Sequence, residues 1–156
     1  MIDKNGYRSN IAIIILNKQN RVFWAQRKNR TSWQFPQGGL SEGESTLEAM
    51  YRELHEEVGL RPHDVEVIAS TREWHKYDIP KSLIRKKGPL CVGQKQKWFL
   101  LRLTTSENNI DLDASDAPEF DNWRWVGYWY PINHVVHFKQ EVYRTALTYF
   151  KDYIVN

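Results

Sequence analysis

Six consecutive residues, Ile11 to Leu16, carry no polar side chain. A run this short and this apolar predicts a strand buried on both faces. The polar stretch Asn17 to Asn20 separates it from a second candidate strand, Arg21 to Gln26, and the pair predicts a β-hairpin. Residues 31–43 hold one proline and three glycines and predict a loop. Apolar positions then recur at helical spacing from Thr46 to Val58. Ser45 is the expected N-cap, Glu48 completes a capping box three residues on, and Gly59 suits the residue that closes the helix. Further strands are predicted in "DVEVIASTREW", "QKQKWFLLRLTT" and "WRWVGYWY". Between the first two, the basic, proline-containing "HKYDIPKSLIRKKGPL" predicts a mobile loop. The stretch "QEVYRTALTYFKDYIV" repeats apolar residues at Val142, Ala146, Leu147, Phe150 and Ile154, which is helical spacing. The order strands, helix, strands, helix predicts one α+β domain over residues 1–156, without repeats, low-complexity tracts or linkers.

The first helix raises a question of charge. With Glu53 at zero and about 100° per residue, Glu56 falls at about 300° and Glu57 at about 40°, so three carboxylates share an arc of about 100°. Leu47, Met50, Tyr51, Leu54 and Val58 form an apolar stripe beside them, and Ala49 keeps the acidic arc clear of bulk. Glu44, Glu48 and Arg52 are spaced four apart, which predicts pairing of Arg52 with the two acids and leaves the acidic arc unpaired. Acid clusters usually form solvated surfaces. This one borders the apolar stripe, so it needs a counter-charge or a shared proton. An all-oxygen donor set suits Mg²⁺ or Mn²⁺ rather than zinc, and the glycines before the helix let backbone carbonyls approach such an ion.

Composition changes this picture little. Hydrophobic residues make up 41% and charged residues 26% of the 156, within the range of globular domains. A single cysteine, Cys91, excludes an internal disulfide framework and a Cys-based zinc cluster. With no signal-peptide pattern and no apolar run near the roughly 20 residues of a membrane span, the expected compartment is the cytoplasm. A formal charge of +3 hints at a polyanionic partner. The 7 Trp, 8 Tyr and 6 Phe are expected mainly in the core, though aromatics also stack on bases.

The spacing Gly38, Glu44, then "RELHEEVGL" resembles the Nudix box, residues 38–60, at Gly38, Glu44, Arg52, Glu53, Leu54, Glu56, Glu57, Gly59 and Leu60. The resemblance implies an α/β/α sandwich with a mixed β-sheet between helices. It also implies hydrolysis of a nucleoside diphosphate linked to another moiety. Over nearly the whole chain, "MIDKNGYRSNIAIIILN", "SWQFPQGG", "GQKQKWFLL", "PEFDNWRWVGYWYP" and "VVHFKQEVYR" are similar to the bacterial RNA pyrophosphohydrolase branch of that family, with Ser9 where the branch often has proline. Members remove pyrophosphate from the 5′-triphosphate end of RNA and so hasten its decay.

The resemblance implies site residues as well. Glu53, Glu56 and Glu57 would be catalytic metal ligands, with Gly38 and Glu119 completing the shell around two or more Mg²⁺ or Mn²⁺ ions. Arg8, Lys139 and Tyr77 would contact phosphates, Tyr77 standing where diadenosine polyphosphate hydrolases carry a tyrosine. Arg27, Ser32, Val136 and Phe138 would frame a base. Glu44, Arg52 and Gly59 would be structural. Three functions are open at this point: an RNA 5′-pyrophosphohydrolase, a dinucleoside polyphosphate hydrolase using the same site, and a non-catalytic Nudix binding module. The intact set of Glu53, Glu56, Glu57 and Glu119 argues against the third.

Overall fold

The computed structural model describes residues 2–154. Among these, eight strands form one mixed sheet: β1 (Tyr7–Leu16), β2 (Val22–Arg27), β3 (Trp33–Gln34), β4 (Gln37–Gly39), β5 (Val65–Ser70), β6 (His75–Asp78), β7 (Gly93–Leu103) and β8 (Phe120–Val126). The spine is β3-β2-β1-β7-β5; β4 adds to β1, β6 to β7 and β8 to β2. β1 and β7 run parallel over ten paired positions, and every other pairing is antiparallel.

The sheet lies between helices, and β1 shows why its sequence is uniformly apolar. Ile11, Ile13 and Ile15 join Ala49, Met50, Leu54 and Val58 of α1 (Thr46–Val58). Ala12, Ile14 and Leu16 join Val142, Tyr143, Ala146 and Leu147 of α3 (Gln140–Phe150) on the other face. Both faces are covered, so alternation disappears. The aromatics mostly fill the α3 side: Trp24, Phe35, Trp98 and Tyr143 pack in mutual contact. The Phe35 backbone N–H donates to the buried Tyr143 hydroxyl at 3.0 Å. No helix of the described residues is long and apolar enough to cross a membrane.

The expected caps of α1 are present. Ser45 and Glu48 exchange capping-box hydrogen bonds at 3.1 and 3.0 Å. Gly59 closes the helix at φ +79°, and a Cβ there would lie 2.5 Å from the Asp111 carbonyl oxygen. Asp111 N–H donates to Val58 O at 2.8 Å, so this glycine lets the segment leading to Glu119 seat on the helix end.

Several boundaries differ from the sequence reading. β1 begins at Tyr7, not Ile11, because parallel pairing with β7 recruits polar residues 7–10. β2 runs from Val22 to Arg27 rather than from Arg21. Residues 31–43 are not all loop: Gln34 pairs with Ala25 and residues 37–39 pair with β1. The expected loop 75–90 begins as strand β6, with Tyr77 turned into the core. β8 starts at Phe120 and stops at Val126, and a short helix α2 (Tyr130–His134) follows. The C-terminal helix ends at Phe150 in a tighter turn, Lys151–Tyr153; Val155 of that predicted helix lies outside the described residues.

Candidate active site

A cleft of about 780 Å³ opens where β4 passes α1. Its wall holds Glu53, Glu56 and Glu57 from the helix, Gly38 and Gly39 from β4, Arg27 from the end of β2, and Glu119 just ahead of β8. Arg27 and Glu119 are distant in sequence. The pairing of β2 with β8 places Arg27 opposite Phe120, and Lys28 N–H donates to Glu119 O at 2.8 Å. Their charged groups approach to 4.0 Å.

The docked face of α1 is wider than the apolar stripe. Ala49, Met50, Leu54, Glu57 and Val58 are buried, whereas Leu47, in the first turn, is 46% exposed. Glu57 thus sits within the buried arc, only 4% exposed. It accepts Gln37 N–H at 3.1 Å. Burial, then the charges of Glu53 and Glu119, raise its pKa well above the usual carboxylate range. Burial also raises that of Glu53, against the pull of Arg52.

Arg52 corrects the expected pairing. Its guanidinium clamps Glu44 at 2.8 and 2.9 Å and donates to Gly39 O at 2.8 Å, tying α1 to β4. It also reaches Glu53 at 2.7 Å and Glu56 at 3.3 Å, so part of the acidic arc is paired. Glu48 is not its partner, because the capping box already occupies that carboxylate. The Arg52 hydrogen bonds, then the Ser41 N–H, hold the Glu44 pKa down at about 2.

Gly38 is required for space. A Cβ there would lie 2.0 Å from Glu53 Cδ. The donor set fits a hard divalent cation: every charged ligand candidate is a carboxylate, and among the described residues no basic side chain is bonded to buried Glu57. Arg52 holds Glu53 and Glu56, and among the described residues no three His, Cys, Asp or Glu side chains converge on one point.

The remaining predicted residues take several positions. Lys139 is buried behind the cleft, donating to Gln34 Oε1 at 3.4 Å and Gln37 Oε1 at 3.3 Å. Burial, then the charge of Arg27, bring its pKa down to about 8. Tyr77 lies beside it in the core, with Lys139 Nζ 5.6 Å from the ring and Phe138 tilted against it at 5.9 Å. Burial pushes the Tyr77 pKa up to about 12. Arg8, Ser32 and Val136 are exposed outside the cleft wall. Gln34, Gln37, His55 and residues 114–117 line or back the cleft without having been singled out in the sequence. Polar residues flanking Pro36 read as ordinary loop, and only strand pairing turns them to the site.

A family model described as the NUDIX domain matches residues 6–148. RNA pyrophosphohydrolases of Francisella tularensis (strain SCHU S4) and Francisella philomiragia are each 77% identical over 154 residues, covering 99% of this chain and 99% of theirs. The E. coli dihydroneopterin triphosphate pyrophosphohydrolase superposes with a TM-score of 0.73 at 22% identity, covering 92% of this chain and 96% of that one. A C. elegans Ap4A hydrolase in a binary complex gives 0.66 at 16% identity, covering 93% and 98%. At these identities the two structures speak to the fold, the α/β/α sandwich described above.

Proposed function

The chain belongs to the NUDIX family, and from that premise we propose that it hydrolyses the 5′-triphosphate end of RNA, releasing pyrophosphate, leaving a 5′-monophosphate and promoting RNA decay in the cytoplasm. The observation that carries this reading is the 77% identity with RNA pyrophosphohydrolases over 99% of both chains. The cleft supports it, with carboxylates on one wall and Arg27 and buried Lys139 nearby.

Phosphoanhydride hydrolysis is chiefly a matter of position and charge. Glu53, Glu56, Glu57 and Glu119, with the Gly38 carbonyl, would hold Mg²⁺ or Mn²⁺, two or more ions in this reading. When bound, the cation neutralises phosphate charge and acidifies water. Arg52 orients Glu53 and Glu56 through its clamp on Glu44 and Gly39. One helix carboxylate accepts the proton of the attacking water. Lys139 and Arg8 steady the phosphates, and Tyr77 supports Lys139 and Gln37 from behind. Arg27, with Ser32, Val136 and Phe138, frames a base. Comparing kcat/KM on triphosphorylated RNA and diadenosine tetraphosphate, each with Mg²⁺, tests the substrate. RNA is expected to be preferred; a clear preference for the dinucleotide would replace this reading.

The base frame makes a further prediction. A guanidinium can stack on a base without reading its sequence. Such stacking contributes about 1–3 kcal/mol, or roughly 5- to 150-fold in binding. Arg27→Ala should raise KM for triphosphorylated RNA by a factor in that range and largely spare a nucleoside triphosphate, which has no second base. Equal losses on both substrates, measured at one salt concentration, would assign Arg27 to the phosphates or the fold.

A further inference from the structure

Charge is segregated along this chain. From Ile79 to Ser106 there are seven cations and no acid; from Leu103 to Trp123 there are six acids and no cation. The acidic block borders the cleft through residues 114–117 and Glu119. The basic block begins in the connection between β6 and β7, where Lys81, Arg85, Lys86 and Lys87 cluster. All four are exposed, and among the described residues none forms an ion pair. Lys95, later in the same block, is instead neutralised by Asp3 at 3.0 Å.

Strand pairing leads from the cleft to this loop. Gly39, in the cleft wall, lies opposite Asn10 of β1. Two residues back along β1, Arg8 lies opposite Gln94, and Gln94 lies opposite Tyr77. The pairing of β6 with β7 closes at Asp78 and Gly93, and the loop projects beyond it, pinned at its base by Ile79 N–H to Val92 O. At about 3.3 Å per residue and about 4.8 Å between strands, its base stands on the order of 12 Å from Arg8. A polyanion held at the cleft by one end is repelled by the segment 111–121 and attracted toward 81–87.

We propose that the β6–β7 loop is a docking ridge for the phosphodiester backbone of single-stranded RNA, downstream of the end held in the cleft. This rests on the reading of RNA as the substrate. The ridge contributes affinity without base selection, because lysine and arginine on phosphates position a strand but do not read it.

The test combines Arg85→Ser, Lys86→Ser and Lys87→Ser in the full chain. A labelled single-stranded RNA of roughly a dozen nucleotides, within the span such channels cover, is titrated with both proteins over a range of salt. It carries a 5′-hydroxyl, so binding is read independently of hydrolysis. The variant should bind about tenfold more weakly near 0.1 M salt, and its log affinity should fall less steeply with log salt by about 2, since each single-strand phosphate contact contributes about 0.7. Its KM and kcat for a triphosphorylated dinucleotide, too short to reach the loop, should match wild type. Equal affinity and salt slope for both proteins would overturn the proposal, and so would an equal rise in KM for the dinucleotide. Retained RNA binding with lost binding to phosphatidylserine vesicles would assign the loop to a membrane surface and overturn it too. If wild-type protein bound the RNA with this loop dependence yet failed to hydrolyse triphosphorylated RNA, the proposed activity would fall and the ridge would stand.

Discussion

Glu57→Gln is expected to lower kcat by at least about 100-fold, the scale of losing a key charge-stabilising group, while the protein stays folded. The substitution keeps shape and removes charge. Gln37 N–H still has a side-chain oxygen to donate to, as it does to Glu57 at 3.1 Å. The variant also relieves the repulsion between buried Glu57 and Glu53. Its melting temperature without metal should therefore equal or exceed that of wild type. The pH dependence follows from the direction of the shift. In the fold, Glu57 holds its proton to a pH well above 4.5, so the native state binds more protons than the unfolded chain in that window. Stability of the metal-free protein therefore falls as pH rises from 4.5 toward the raised value. That decline should be smaller in the variant. Thermal melts in chelator across this range, beside turnover with saturating Mg²⁺, separate the two effects. Near-wild-type turnover would remove Glu57 from the chemistry.

What the sequence disclosed depended on how local the cause was. The caps of α1 are encoded within a few residues, and Ser45, Glu48 and Gly59 act as their types suggest. The burial of β1 was legible because both faces are covered and no polar residue interrupts Ile11 to Leu16. β3, β4 and β6 were missed because strands of 2 to 4 residues carry no period. The arc shared by Glu53, Glu56 and Glu57 followed from helix geometry. The burial of Glu57 did not, because it depends on the angle at which α1 meets β4. The pairing of Arg52 was misjudged for a similar reason. Spacing favoured Glu48, but the capping box claims that carboxylate and β4 brings the Gly39 carbonyl within reach. Arg27 and Glu119 meet only through the register of β2 and β8, to which spacing along the chain gives no access; the family resemblance alone pointed to both.

Gly38→Ala should disable catalysis at little cost to stability. The backbone at Gly38 does not occupy the left-handed region, unlike Gly59 at φ +79°, so alanine brings no backbone strain. The difficulty is space. The added Cβ would lie 2.0 Å from Glu53 Cδ and 2.2 and 2.3 Å from its two oxygens. The carboxylate must leave, and as the end of a flexible side chain it can do so cheaply. That movement also breaks the 2.7 Å contact between Arg52 and Glu53. The clamp of Arg52 on Glu44 and Gly39 remains, so α1 stays docked on β4. A displacement of about 1 Å in a positioned group can cost on the order of 100-fold in rate, and a fall of that size in kcat is expected here. The melting temperature should shift by no more than a few degrees, the equivalent of about 1 kcal/mol or less. Raising the concentration of Mg²⁺ or Mn²⁺ should restore part of the rate, because the loss lies in the placement of a ligand and not in the fold. Unfolding of the variant under conditions where wild type is stable would show that Gly38 serves the packing of β4. Full activity would mean that Glu53 works from another position than the one Gly38 makes room for.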